Sequence, residues 1–342
     1  MNFEKWEAFL KKGIDDGVYT CYAAAVGQGE DILFKSAYGD RMCTPEKLPL
    51  SEDCLFDLAS LSKVVGTTSA ALRLLDQGRI RLVDTLGDYF GECYGKENIT
   101  VKHLMTHSSG LAAYVPIWKM DIPREAATDA ILQHPQEVPT GEKVIYSCTG
   151  YILLGKILEK ICGEPLDKIV KREVTDPLGM KNTLYCPPKD ARCVATENIC
   201  GEVHDENARF LGGVSGNAGL FSTLDDMIIF AQMLSKGGKG FLDPRTFELA
   251  TCDHTSHLPE FSRGLGFLLY RGGPFVAGTQ MSLGSFGHTG FTGTSLFVDK
   301  ESGTFCILLA NRVYFGRDNQ TFFPYRRGFY DMVFSDIRGI TK

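Results

Sequence analysis

Ser60 and Lys63 stand three residues apart in "FDLASLSKVVGTTSAALRLLDQG", a run from Phe56 to Gly78 otherwise rich in Ala, Leu, Val and Gly. Residues three apart on a helix share a face, so a hydroxyl and an ammonium come within about one hydrogen bond of each other. A serine hydroxyl attacks poorly until a base takes its proton. A lysine in an apolar pocket loses part of its preference for the charged form and can be that base. A helix N-terminus beside the oxygen adds partial positive charge where negative charge would develop. The pair alone is a weak signal, because a capping serine followed by a solvated lysine looks the same. Here, however, "VVGTTSAALRLL" follows the lysine and is a poor face for solvent.

Two further stretches carry residues of the right type. "VIYSCTGYILLG" puts Tyr146 just before a predicted helix, with Cys148 two residues on. A tyrosine there can relay protons if neighbouring cations lower its pKa; the plainer reading is a core tyrosine with a bonded hydroxyl. "SFGHTGFTGTSLFVD" puts His288, Thr289 and Gly290 at the head of a predicted edge strand. Gly290 and Gly293 would let a substrate approach the backbone closely, or simply form a turn. Other combinations point nowhere. His103 and His107 lack the glutamate of a zinc protease helix, and Cys252, His254 and His257 are a lone close set, so no metal is expected. "GGVSGNAG" nearly spells the nucleophile elbow of another hydrolase fold, but Asn217 stands at its last glycine; Ser215 reads as a loop residue lining the pocket. No phosphate-binding loop is present.

The elements that must position these residues follow from periodicity and punctuation. An amphipathic helix opens the chain, then two strands, about Tyr22–Gln28 and Ile32–Ala37, turn at Gly29. A helix is predicted from Ser60 to Gln77 with Gly78 as its stop, another through "TGYILLGKILEKICG" stopping at Gly163, and another at "LDDMIIFAQMLSKGG". Residues from about Thr175 to Gly216 read as a linker. "GTSLFVDKESGTFCILLANR" reads as strand, turn and strand, and "FFPYRRGFYDMVFSDI" as a closing helix. Strands at both ends and helices between them predict an α/β (α+β) fold: an antiparallel sheet lobe from 1–60 and 215–342, an inserted helical lobe from 61–214, and the site between them.

The composition fits an ordinary globule: 342 residues, 44% hydrophobic and 23% charged. Net charge is −6 and no Lys/Arg block exceeds a pair, so nucleic acid is not an expected partner. The N-terminus has no apolar core of signal-peptide length and no run is long enough for a membrane span, so a cytoplasmic location is expected. The 11 cysteines are scattered without a C-x-x-C and read as free thiols.

Taken in order, S-x-x-K, Y-S-x and H-T-G resemble the serine β-lactamase and penicillin-binding protein superfamily, in particular the class C β-lactamase-related branch that includes esterases. "LVDTLGDYF", "ITVKHLMTHSSGL", "DPLGMKNT" and "GGVSGNAGLFSTLDDM" add to the likeness, which spans roughly Phe56 to Arg312. The resemblance implies a sheet lobe plus a helical lobe and a serine hydrolase without cofactor. It implies that Ser60 is acylated, that Lys63 assists deprotonation and that Tyr146 shuttles the proton. It also implies an oxyanion hole from the backbone N–H groups of Ser60 and Phe291, with Cys148, His288, Thr289 and Gly290 against the substrate. Two residues depart from the pattern. Cys148 replaces the usual Asn, and a thiol bonds amides weakly; His288 stands where most β-lactamases have lysine, and a neutral imidazole attracts carboxylates less. Both lean from β-lactams towards small carboxylic esters. The alternatives are a β-lactamase or D,D-peptidase, and a ligand sensor that acylates without turnover.

Overall fold

Alternate residues of one buried strand enter two different cores, which explains why it reads as an unbroken apolar run. In the computed structural model, which describes residues 1–338 apart from 190, 198 and 259, the strands are β1 (Cys21–Gln28), β2 (Asp31–Met42), β3 (Leu48–Pro49), β4 (Phe56–Asp57), β5 (Leu184–Tyr185), β6 (Leu220–Ser222), β7 (Leu268–Leu269), β8 (Phe286–Thr289), β9 (Ser295–Val298) and β10 (Thr304–Ala310). Cys21, Ala23 and Ala25 of β1 face one core, and Tyr22, Ala24 and Val26 the other. Phe305, Ile307 and Leu309 of β10 do the same against Cys306, Leu308 and Ala310. A strand covered on both faces has no polar side to show.

These strands form an antiparallel sheet in the order β3–β2–β1–β10–β9–β8–β7. The chain ends thus meet at its centre, where Tyr22 pairs with Ala310. The helices Phe3–Asp15 and Phe322–Arg338 pack together over one face, and Trp6 donates its indole N–H to Asp336 at 3.0 Å. The helix Leu224–Ser235 packs on β1, β9 and β10 from the other core. The expected hairpin at Gly29 is present (φ +59), with β2 running five residues further than periodicity suggested.

Three expectations need correction. β8 is not an edge strand, because β7 lies outside it; β7 pairs only with Phe286 and Gly287, leaving His288 and Thr289 beyond the paired stretch. The stretch from 175 to 216 is more than a linker: β5 lies in it and joins a second sheet, β4–β6–β5, whose strands of two or three residues are too short to leave a periodic signal. The helix expected from Ser60 to Gln77 is a 3₁₀ turn (Ala59–Leu61), a π-helical segment (Lys63–Thr68) and an α-helix (Ser69–Asp76). The Ser69 hydroxyl donates to the Val64 carbonyl at 2.7 Å, a side-chain bond that competes with the ordinary helical ladder. Among the described residues no helix is long and apolar enough to cross a membrane.

Candidate active site

Ser60 follows β4 directly, and the small sheet holds it in place. Phe56 and Asp57 pair with Ser222 and Phe221, and the Leu58 N–H donates to the Leu220 carbonyl at 3.0 Å. Ala59 is forced to φ +46, a left-handed conformation costly for a residue with a Cβ. Buried Asp57 compensates: one carboxylate oxygen accepts the Ala59 N–H at 2.8 Å and the other the His204 N–H at 2.7 Å. Burial raises its pKa to about 6, although those two N–H bonds oppose the rise.

The H-T-G loop is bolted to this turn. Thr292 and Thr294 donate to the carbonyls of Asp57 and Leu58 at 2.7 and 2.9 Å. A Cβ on Gly290 would lie 2.3 Å from the Leu58 carbonyl oxygen, and one on Gly293, at φ +117, 2.8 Å from that of Ala310. These glycines therefore make room for the protein's own backbone. Arg312 donates to the Phe291 carbonyl at 2.8 Å and fixes that peptide. Neither the Ser60 nor the Phe291 N–H has an acceptor among the hydrogen bonds of the described residues. Two unspent donors on loops tied together are what an oxyanion site requires.

Lys63 is fully buried, and its Nζ has three partners: Ser60 Oγ at 3.0 Å, Cys148 Sγ at 3.4 Å and the Asn217 carbonyl at 2.8 Å. An ammonium has three protons to donate, and this arrangement uses them all. Burial alone lowers the Lys63 pKa, but the negative forms of Cys148 and Tyr146 outweigh it and the net direction is upward. The expectation that burial costs Lys63 part of its preference for the charged form is thus corrected. Tyr146 is half-buried as a residue, yet its hydroxyl oxygen is fully enclosed and makes no hydrogen bond. Burial raises its pKa, and Lys63, 5.1 Å from the ring centre, opposes the rise. Ser60 and Lys63 lie near enough to act on the phenol, but no direct bond closes.

His288 is buried and Nδ1 lies 2.8 Å from the Thr289 carbonyl, which can only accept, so that nitrogen carries the proton. Nε2 is left as a bare acceptor without a partner. Burial, with Arg263 and Lys63 nearby, holds its pKa well below the usual histidine range. His107 sits on the other side of Tyr146, with ring centroids 4.7 Å apart, and accepts the Ser147 N–H at 3.0 Å.

Two clefts meet at Ser60, Tyr146, Phe291 and Arg317. One, of about 400 Å³, is lined by Cys148, Tyr114, Trp118 and Asp205. The other, of about 590 Å³, is lined by His288, Thr289, Gly290, Arg263, Arg312 and Arg326. All eight site residues expected from the sequence therefore gather at one place. Three contributors were not foreseen: Asp57, the Asn217 carbonyl and Arg263. Asp57 had its signal in the quoted "FDLAS", but a main-chain carbonyl leaves no trace in side-chain identity, and nothing near Arg263 sets it apart from a surface arginine.

The chain belongs to the β-lactamase family. The family pattern described as Beta-lactamase matches residues 6–327. An N-acetylmuramyl-L-alanine amidase of Bacillus subtilis (strain 168) is 31% identical, over 90% of this chain and 80% of its own length. A putative D-alanyl-D-alanine carboxypeptidase of Escherichia coli (strain K12) is 27% identical over 90% and 81%. The structure of EstCE1, a hydrolase with promiscuous acyltransferase activity, superposes with TM-score 0.80 at 21% identity, over 96% of this chain and 98% of that one. The fold is that of the family, and the chain is a serine hydrolase of it.

The other candidates have structural duties. Ser215 is buried and donates to the Asn217 side chain at 2.7 Å, lining neither cleft; it aims the loop whose carbonyl meets Lys63. A Cβ on Gly216 would lie 2.0 Å from the Tyr151 carbonyl, so that glycine lets the loop lie on the helix Cys148–Cys162. His103 completes a capping box with Thr100, and His254 lies 2.8 Å from the Leu249 carbonyl.

Proposed function

We propose that this protein hydrolyses small carboxylic esters through an acyl-enzyme on Ser60. The observation that carries the reading is the Lys63 ammonium, 3.0 Å from Ser60 Oγ with its other two protons spent on Cys148 and Asn217. Ser60 Oγ accepts from Lys63, so its own proton is free to point at the bare phenol oxygen of Tyr146. In the ionised form of Tyr146, which the Lys63 ammonium favours, the phenolate takes the Ser60 proton and becomes a phenol as Oγ bonds the ester carbonyl carbon, and the carbonyl electron pair moves onto oxygen between the Ser60 and Phe291 N–H groups. Lys63 remains charged throughout and stabilises both the alkoxide and the phenolate. Collapse breaks the bond to the alcohol, which leaves with the proton from Tyr146. Water then attacks the acyl group by the same route in reverse.

Preference for esters over β-lactams and peptides rests on two groups. Cys148 offers an amide side chain only a weak donor and acceptor. His288 presents a bare acceptor and supplies no cation or donor to a carboxylate where most β-lactamases carry lysine. On this reading Ser60 lies at the seam of a sheet lobe (1–60 and 215–342) and a helical lobe (61–214), with the small β4–β6–β5 sheet crossing the seam.

Short-chain nitrophenyl esters set against nitrocefin test the reading, with Ser60→Ala as control. Esters should be turned over with the higher kcat/KM, Ser60→Ala should lose at least ~10⁴-fold, and a fluorophosphonate adduct should map to the peptide containing Ser60. Full activity in Ser60→Ala, an adduct on Cys148, or nitrocefin as the better substrate overturns it.

A further inference from the structure

Among the described residues, the larger cleft holds more positive than negative charge. Arg263, Arg312 and Arg326 line it and are each 5% exposed or less. Among the described residues none of the three has a carboxylate within ion-pair distance. A buried charge is normally paired, because taking it out of water is expensive. Arg263 is the extreme case: Nε and Nη1 are enclosed and make no hydrogen bond, while the guanidinium lies 5.4 Å from the Tyr146 ring centre. Arg312 donates to the carbonyls of Phe291, Arg317 and Asn319, and Arg326 to that of Val276 at 2.9 Å, so neutral acceptors hold them in place without cancelling their charge. The Phe323 ring lies 5.0 and 5.2 Å from the two guanidinium carbons. Burial lowers the pKa of Arg263 and Arg326, each to about 10, so both remain cationic at neutral pH. The acidic group lining the cleft, Asp318, is exposed, and Arg317 is committed to Glu206 at 2.9 Å.

Three buried cations set against one exposed carboxylate leave a deficit of about two negative charges. We infer that this cleft receives a leaving group bearing two negative charges, as a dicarboxylate or a phosphate monoester, seated between Arg263, Arg312 and Arg326. The inference rests on Ser60 as the acylated residue, since only then does this cleft lie on one side of the scissile bond. One carboxylate would leave a guanidinium uncompensated; two anionic groups on a planar frame match planar donors. The neutral His288 contributes no attraction of its own.

The test uses three acetyl esters that differ in leaving-group charge: 5-hydroxyisophthalate, 3-hydroxybenzoate and phenol. The expected order of kcat/KM is dianion, monoanion, neutral, with at least ~10-fold between dianion and monoanion after correction for leaving-group pKa. Arg326→Gln and, as a second variant, Arg263→Gln should each reduce the dianion-to-neutral ratio at least ~5-fold, and Arg326→Lys should restore part of it. Equal rates for the dianion and monoanion, or ratios unmoved in both glutamine variants, overturn the inference. Binding of isophthalate, phenyl phosphate and benzoate to Ser60→Ala, followed by calorimetry, separates this from the catalytic reading. Either dianion binding at least ~10-fold tighter than benzoate supports the inference and tells dicarboxylate from phosphate. Loss of turnover in Ser60→Ala without tighter dianion binding overturns the inference while leaving the nucleophile assignment intact.

Discussion

The strands β1 and β10 and the cavity around Tyr146 are both buried, yet they are built on opposite rules. Every residue of β10 is buried, and the strand is apolar apart from Thr304 at its start, with backbone groups paired to β1 and β9. Around Tyr146 the enclosed polar atoms go without partners: the Tyr146 hydroxyl, His107 Nε2, His288 Nε2, Asn217 Nδ2 and two nitrogens of Arg263. Each unpartnered buried group costs roughly 1–3 kcal/mol. The sheet thus supplies the stability that the site gives up, and the open valences face the place where a substrate would complete them.

The strongest way to break this comparison is to remove the proposed proton carrier, Tyr146, or the cation beside it, Lys63. Lys63→Ala and Tyr146→Phe should each lower ester turnover by at least ~100-fold. The double variant should fall little further than the worse single, because residues acting as a unit lose function non-additively. Strictly multiplicative losses would show that the two act independently. Tyr146→Phe also sharpens the contrast, because it deletes an unpartnered hydroxyl: unfolding by urea should show it more stable by about 1 kcal/mol even as activity falls. Leu308→Ala, in the sheet, should do the opposite, losing about 2–5 kcal/mol of stability with kcat per folded molecule unchanged. A Tyr146→Phe protein less stable than the parent would show that the phenol is satisfied in solution.

A smaller effect is expected where the two regions join. Asp57 accepts the Ala59 and His204 N–H groups, so an amide in its place turns one acceptor into a donor facing a donor. Asp57→Asn should therefore loosen the turn at Ala59 and lower kcat about 10–100-fold, on the scale of a small misplacement of the nucleophile. KM should change little, since Asp57 lines neither cleft. A change in KM alone would mean that Asp57 shapes the pocket and does not aim Ser60.

How far the chain could be read without its structure differs between the same two regions. Periodicity places β1, β10 and the helix Cys148–Cys162, because long elements covered by apolar side chains write their burial into sequence. That Ser60, Lys63, Tyr146 and His288 share one site was legible because residue type and spacing carry it. The charge state of Lys63 was not: it depends on the Asn217 carbonyl and Cys148 Sγ, brought to Nζ from 154 and 85 residues away. The close backbone approach at Gly290 was illegible for a similar reason, since the atom its missing Cβ avoids belongs to Leu58. Short strands such as β4 and β5 are held by pairing across long loops, which no local pattern records.

The mildest test asks whether His288 is neutral, on which both the ester preference and the contrast between regions depend. His107 and His288 are fully buried, and desolvation holds the pKa of each well below the ordinary value; for His288 the nearby Arg263 and Lys63 add to it. His103, His204 and His254 are shifted down by burial to a lesser degree. As pH falls through about 6.5, the unfolded chain takes up protons on these imidazoles while the folded chain does not. Stability is therefore full above that pH and lost as the solution is acidified. Asp57 works the other way: its folded pKa of about 6 lies above the unfolded value of 3.8, so its contribution is fully present below the unfolded value and is lost as pH rises towards 6. One such carboxylate offsets only part of several histidines. Urea unfolding between pH 7.5 and 5 should thus show stability falling on the acid side. In His288→Asn, whose amide can keep the donor to the Thr289 carbonyl, the slope should be shallower by about 1.4 kcal/mol per pH unit, the worth of one excluded proton. Parallel curves would mean that His288 is protonated in the folded protein as well. It would then be a cation beside Arg263, able to attract a carboxylate, and the preference for uncharged ester carbonyls over β-lactams would lose one of its two supports.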